Sequence, residues 1–135
     1  MFVKEYMSSN PIALTPKDDV NYAFTLLLEK GIRQAPVVEN GELVGIVSDR
    51  DLRMAIVQNL KMNNLTVGFI MTKNPVTVTE DCKMTDACKI LGIGKFNAIP
   101  VVEETGKLKG IISTTDILKY FLELMDDDYF PLITK

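Results

Sequence analysis

The sequence predicts an α/β fold, of the α+β kind, built from two tandem βαββα repeats packed with pseudo-twofold symmetry. Three observations predict it: an internal duplication running along almost the whole chain, the same order of strand and helix signals in each copy, and a copy too small to stand alone. At 135 residues the chain can form one compact core or two small units that share their packing, but not two independent domains. Hydrophobic residues at 47% against 24% charged give the balance of a packed globular protein, so ordered structure is expected throughout.

The duplication is read directly. Met7-Ser8-Ser9-Asn10-Pro11-Ile12 returns 64 residues later as Met71-Thr72-Lys73-Asn74-Pro75-Val76. Without a gap, Ala23 then meets Ala87, Leu27 meets Leu91, and Pro36-Val37-Val38-Glu39 meets Pro100-Val101-Val102-Glu103. One inserted residue in the second turn moves the offset to 65, after which Gly45-Ile46 meets Gly110-Ile111, Ser48 meets Ser113 and Asp51 meets Asp116. Residues 1–62 are assigned to the first repeat, 63–125 to the second, and 126–135 to a C-terminal tail.

Each copy parses alike. Residues 12–14 and 76–78 are short β-prone segments after Asn-Pro, where proline favours an extended entry. A helix follows: Asp18 or Asp19 caps it in the first copy, Val20, Ala23, Phe24, Leu27 and Leu28 recur at helical spacing, and Gly31 stops it. Its counterpart carries Met84, Ala87, Cys88 and Leu91 and reaches Gly92 and Gly94. Residues 35–38 and 43–47 then flank Asn40-Gly41, a strong hairpin signal, and Thr105-Gly106 marks the second hairpin. Pro36 and Pro100 sit near strand starts, where a missing backbone donor is tolerated. A last helix closes each copy, from about Asp49 and from about Thr114. One three-stranded sheet with two helices buries too little apolar surface alone, so the copies are expected to pack sheet against sheet.

Composition excludes several functions. A net charge of −3 gives no general attraction for a polyanion, so no nucleic-acid partner is expected. No stretch is apolar for long enough to span a bilayer and the first residues lack the apolar core of a secretion signal, so the expected compartment is the cytoplasm. Cys82 and Cys88 have neither metal-knuckle nor redox spacing and read as reduced structural thiols. With no histidine, no nucleophile beside a base and no P-loop, the chain is expected not to be an enzyme and to hold no metal. The seven methionines read as core filler. Asp126-Asp127-Asp128 reads as a solvated end, followed by an apolar Tyr129-Phe130-Pro131-Leu132-Ile133 that could dock on the module or a partner.

The most informative pattern is Gly45-Ile46-Val47-Ser48-Asp49-Arg50-Asp51 and its echo Gly110-Ile111-Ile112-Ser113-Thr114-Thr115-Asp116. Ser-x-x-Asp at a helix start reads as a capping box. It also reads as a ribose clamp, since an ionised carboxylate accepts two adjacent hydroxyls while the helix start faces phosphate.

The arrangement of Asn-Pro-Ile, a helix, Gly31-Ile32-Arg33-Gln34-Ala35-Pro36-Val37-Val38, an Asn-Gly hairpin and Gly45-Ile46-Val47-Ser48-Asp49-Arg50-Asp51-Leu52 resembles the CBS domain, and its duplication resembles the CBS pair, or Bateman module, of small stand-alone prokaryotic proteins. The resemblance implies two clefts for an adenosine-containing ligand: AMP, ADP or ATP, or alternatively S-adenosylmethionine or an NAD-type molecule. It implies a first site with Ile12, Ala13, Ile32, Ala35 and Pro36 about the adenine, Ser48 and Asp51 on the ribose, and Arg33 or Arg50 near phosphate. The second would use Val76, Thr77, Phe96, Ile99 and Pro100, then Ser113, Thr115 and Asp116. Because Asn97 and Thr115 stand where the first copy has Arg33 and Arg50, the first site is expected to be the stronger for phosphorylated ligands, although a basic residue of one copy could serve the other's ligand. The resemblance further implies a homodimer and a regulated protein partner. A ligand-free dimerisation or interaction scaffold is the alternative.

Overall fold

The computed structural model describes residues 1–61 and 64–125. In the first copy α1 (Val20–Lys30), β2 (Gln34–Glu39), β3 (Glu42–Ser48) and α2 (Asp49–Gln58) follow one another, and α4 (Met84–Gly94), β5 (Ala98–Val102), β6 (Leu108–Ser113) and α5 (Thr114–Leu124) repeat the order. Two short strands, β1 (Ser8–Ser9) and β4 (Thr72–Lys73), precede them, each after a single turn of helix: a 3-10 turn at Val3–Glu5 and α3 (Val67–Ile70).

The local chemistry of the sequence accounts for these elements. α1 starts where the Asp19 carboxylate accepts the N–H groups of Asn21 (2.9 Å) and Tyr22 (3.2 Å), and ends at Gly31 with φ 64°. Val20, Ala23 and Leu27 form its buried face. Asn40 and Gly41 both take positive φ, as a tight hairpin requires, and β2 pairs antiparallel with β3. Pro36 and Pro100 lie on β2 and β5, each at the edge of a three-stranded sheet, where the lost donor leaves no ladder bond unmade.

The first strand of each repeat differs from the expectation. Residues 12–14 and 76–78 do not build a sheet strand; only Leu14 and Val78 bridge, in parallel, to Val37 and Val101. The third strand of each sheet lies just before Asn-Pro instead, and it comes from the other copy: β1 pairs with β6, and β4 with β3. Asn10 and Asn74, at φ 51° and 50°, turn the chain out of these strands.

The exchange reaches further back. The N–H of Val3 donates to the Cys82 carbonyl (2.8 Å) and that of Met84 to the Met1 carbonyl (3.1 Å); 64 residues on, Val67 donates to Asp18 (2.9 Å) and Val20 to Leu65 (3.0 Å). Val3 is buried in the core of Met84, Ala87, Leu91, Ile99 and Ile112, while Val67 is buried with Val20, Leu27, Val37 and Leu52. Each copy thus completes its core with residues borrowed from the other, which answers the size problem posed by the repeat. Met7 and Met71 pack against these cores in equivalent places and Met84 is buried, as core filler should be, whereas Met1 and Met54 are exposed and depart from that expectation. Gly45 and Gly110 lie under the exchanged strands: a Cβ would come within 2.9 Å of the Thr72 carbonyl oxygen in one case and 2.6 Å of the Ser8 oxygen in the other.

Among the described residues no helix is long and apolar enough to cross a membrane. Residues 126–135, with the aspartate run and apolar tail, lie outside the described residues.

Candidate functional site

Both Ser-x-x-Asp motifs sit at the junction of a strand and its closing helix, and both form the cap. Asp51 N–H donates to Ser48 Oγ (3.0 Å) and Ser48 N–H to the Asp51 carboxylate (3.3 Å). In the second copy the N–H and the Oγ of Ser113 both donate to Asp116 Oδ2, at 2.8 and 3.1 Å. The carboxylates end differently: Asp51 is exposed, whereas Asp116 is only 6% exposed.

Two clefts open along the seam between the copies. The larger, of about 370 Å3, takes Ser113, Thr114 and Thr115 from the start of α5, Ile111 from β6 and Ser8 from β1. Its opposite wall is Gly31-Ile32-Arg33-Gln34, the link from α1 to β2 of the other copy. The smaller, of about 130 Å3, has Ile46, Val47, Ser48 and Asp51 on one side and Phe96-Asn97-Ala98 on the other. The repeat register maps Ser48 onto Ser113, Ile46 onto Ile111, Ile32 onto Phe96 and Arg33 onto Asn97, so these are two versions of one cleft. Gln34, Asn97 and Ala98 line both. A larger hollow of about 570 Å3 between the start of α1 and the end of α2 includes Asp19, Asn59 and Asn64, but none of the predicted site residues.

The seam reassigns the predicted site. Arg33 does not stand with Ser48 and Asp51; it crosses to the cleft of Ser113, Thr114 and Thr115. That cleft therefore has Arg33 in its lining, because each cleft borrows one wall from the other copy. Ile32 crosses with Arg33, and Phe96 crosses the opposite way to Ser48. Arg50 is exposed and lines neither cleft. Ala35, Pro36, Ile99 and Pro100 are buried and line neither cleft, whereas Gln34 and Ala98, at the starts of the same two strands, line both. Ile12, Ala13, Val76 and Thr77 belong to the segments that form no sheet strand and line neither cleft. Asp116 is turned into its cap. Ser8, Gly31, Gln34, Ile46, Val47, Asn97, Ala98, Ile111 and Thr114 line the clefts as well, beyond the residues that the resemblance implies. Gln34 carries a sequence signal in its alternation with the buried Ala35, whereas Ser8 enters only through the strand exchange.

Away from the clefts, burial pushes the thiols of Cys82 and Cys88 up, which keeps them protonated, as structural cysteines are.

The model of the CBS domain matches the chain twice, over residues 3–58 and 67–123. The chain belongs to the CBS-domain family. Its two matches make a CBS pair, and solved CBS pairs superimpose on it closely. CBSX2 of Arabidopsis thaliana, solved in complex with AMP, is 32% identical, with a TM-score of 0.83 over 91% of this chain and 97% of that one. The CBS pair of protein MJ0100, in complex with 5-methylthioadenosine and S-adenosyl-L-methionine, is 28% identical, with a TM-score of 0.84 over 93% of this chain and 98% of that one. Among curated proteins, the inosine-5'-monophosphate dehydrogenase of Korarchaeum cryptofilum is 35% identical over 114 residues; the match takes in 84% of this CBS pair but spans only 23% of the dehydrogenase.

Proposed function

We propose that this CBS pair is a non-catalytic regulatory module that takes an adenosine-containing phosphorylated ligand, of the AMP, ADP or ATP kind, in the cleft of the second copy. One observation carries the reading: Arg33 from the first copy shares a cleft of about 370 Å3 with Ser113, Thr114 and Thr115 at the start of an 11-residue helix. The volume suits a nucleotide. Ile32, Ala98 and Ile111 offer apolar contact to a base. Hydroxyls and helix-start N–H groups suit ribose and phosphate oxygens, and a guanidinium suits the phosphate charge. The AMP bound by CBSX2 supports the same ligand class. S-adenosylmethionine, bound by MJ0100, carries a cationic sulfonium and no phosphate, so the guanidinium in this lining favours AMP over it. We further propose that the pair acts on a regulated protein partner and assembles as a homodimer.

Isothermal titration with AMP, ATP, S-adenosylmethionine and NADH tests the ligand. AMP is expected to bind, and Arg33→Ala to weaken it by roughly 10- to 100-fold, the range for a charge-assisted bond to phosphate. Heat with none of the four ligands would sink the sensor reading in favour of a scaffold.

A further inference from the structure

We propose that the end of α4, Gly92 to Phe96, is a switch: it opens on its own in the free chain while the rest of the fold stays closed, and a ligand in the second copy's cleft shuts it. The opening belongs to the chain alone; the shutting rests on the ligand reading above.

The two copies end their matching helices in opposite ways. α1 runs into Gly31 at φ 64°, whose N–H donates to the carbonyls of Leu27 and Leu28, and the Ile32 N–H donates to the Leu27 carbonyl at 3.1 Å. Ile32 then packs against the first core. At the same point of the repeat α4 runs into Lys95, also left-handed at φ 57°, a conformation that is costly for a residue with a Cβ. Among the described residues, no hydrogen bond from the N–H of Lys95 or Phe96 closes this helix end. Gly92 and Gly94 stand in its last turn where α1 has Leu28 and Lys30, and each glycine weakens a helix by up to roughly fivefold against alanine. Gly92 through Asn97 are all exposed, Ile93 at 83%, and neither Ile93 nor Phe96 belongs to the second core. The Phe96 ring, itself exposed, lies against Gly94 and braces the turn from outside.

The loose stretch lies between two anchors and beside the ligand cleft. Leu91 is buried in the second core before it, and after it the Asn97 carbonyl accepts the Thr114 N–H at 3.1 Å. Asn97 and Thr114 both line the second copy's cleft, as does Arg33. A ligand that touches Asn97 and Thr114 holds the chain at residue 97, where the closed turn delivers it, and so binds the closed form better than the open one. The matching end of α1 is capped and packed, so the wall that follows α4 is the one free to respond.

Residue-resolved amide exchange, followed by NMR on the full chain and corrected for intrinsic rates, tests both halves. In the free chain the amides of Gly92, Ile93 and Gly94 should exchange roughly tenfold or more faster than those of Leu28, Glu29 and Lys30. Gly92→Ala, whose added Cβ meets open space, and Lys95→Gly, which copies the cap of α1, should each slow them about fivefold. Saturating AMP, with occupancy read from the Ile111 methyl groups that line only the second cleft, should slow residues 92–94 by roughly tenfold or more and residues 28–30 less. Equal protection of the two helix ends in the free chain, or rates indifferent to both substitutions, would overturn the switch. If AMP fills the cleft and the rates at 92–94 hold, the shutting is wrong. If the Ile111 methyl groups ignore AMP, the ligand reading and the shutting fail together, and the free-chain rates still decide the opening.

Discussion

A serine and an aspartate three residues apart meet at the start of both closing helices, yet the carboxylates do different work. Asp116 is 6% exposed and takes two hydrogen bonds from the half-buried Ser113, so its removal takes the acceptor from that N–H and hydroxyl. Asp116→Ala should lower stability by about 1–2 kcal/mol. Asp51→Ala, exposed and more loosely bonded, should cost about half that. Urea denaturation of the two variants checks the order, and equal losses would contradict it. The motif itself was legible in the sequence, and so was its capping geometry. Which carboxylate stays available to a ligand was not, because that depends on burial, and the two motifs differ little in their local residues.

The exchanged segments are the element-level lesson. Duplication identified both hairpins and all four long helices, but an offset of 64 residues reads the same whether a segment pairs within its own copy or with the other. The clue lay in Gly45 and Gly110, which resembled part of a helix-start motif and instead make room for the exchanged strands. The same ambiguity left open which cleft Arg33 lines, since the cleft walls cross with the strands. Gly110→Ala should force Ser8 away from β6 and destabilise the chain by about 1–3 kcal/mol, measurable as a lower thermal midpoint. A second contact holds the same N-terminal segment. The Tyr6 hydroxyl donates to Glu123 of α5, and its ring meets Tyr120 edge-on at 5.3 Å. That hydrogen bond, then burial and the negative charge of Glu123, push the Tyr6 phenol from its ordinary 10 up to about 12. The folded state thus favours the protonated phenol: the stabilisation is complete below pH 10 and is lost as pH climbs toward about 12. Tyr6→Phe should therefore be less stable than wild type at neutral pH, with the gap narrowing across that alkaline window. A gap unchanged with pH would remove the titration from the account.

For the molecule as a whole, the clefts and the outer helices divide the surface. Each cleft draws its two walls from the two copies of the same polypeptide. α5 buries Asp116 and Tyr120 on its inner side and leaves Leu118, Phe121 and Leu124 more than half exposed at a spacing of three residues, an apolar stripe that ordinary surface helices avoid. A second copy of the chain is the occupant we propose, because a self-complementary helix face closes with twofold symmetry. Sedimentation at micromolar concentration should give twice the chain mass for the wild type and a single chain mass for Phe121→Glu, which places a charge in the middle of the stripe. Since both walls of the ligand cleft come from one chain, AMP should still shift the Ile111 methyl groups of Phe121→Glu. A wild type that sediments as a single chain would refute the dimer, and loss of the AMP response together with the dimer would mean that the second chain completes the cleft after all.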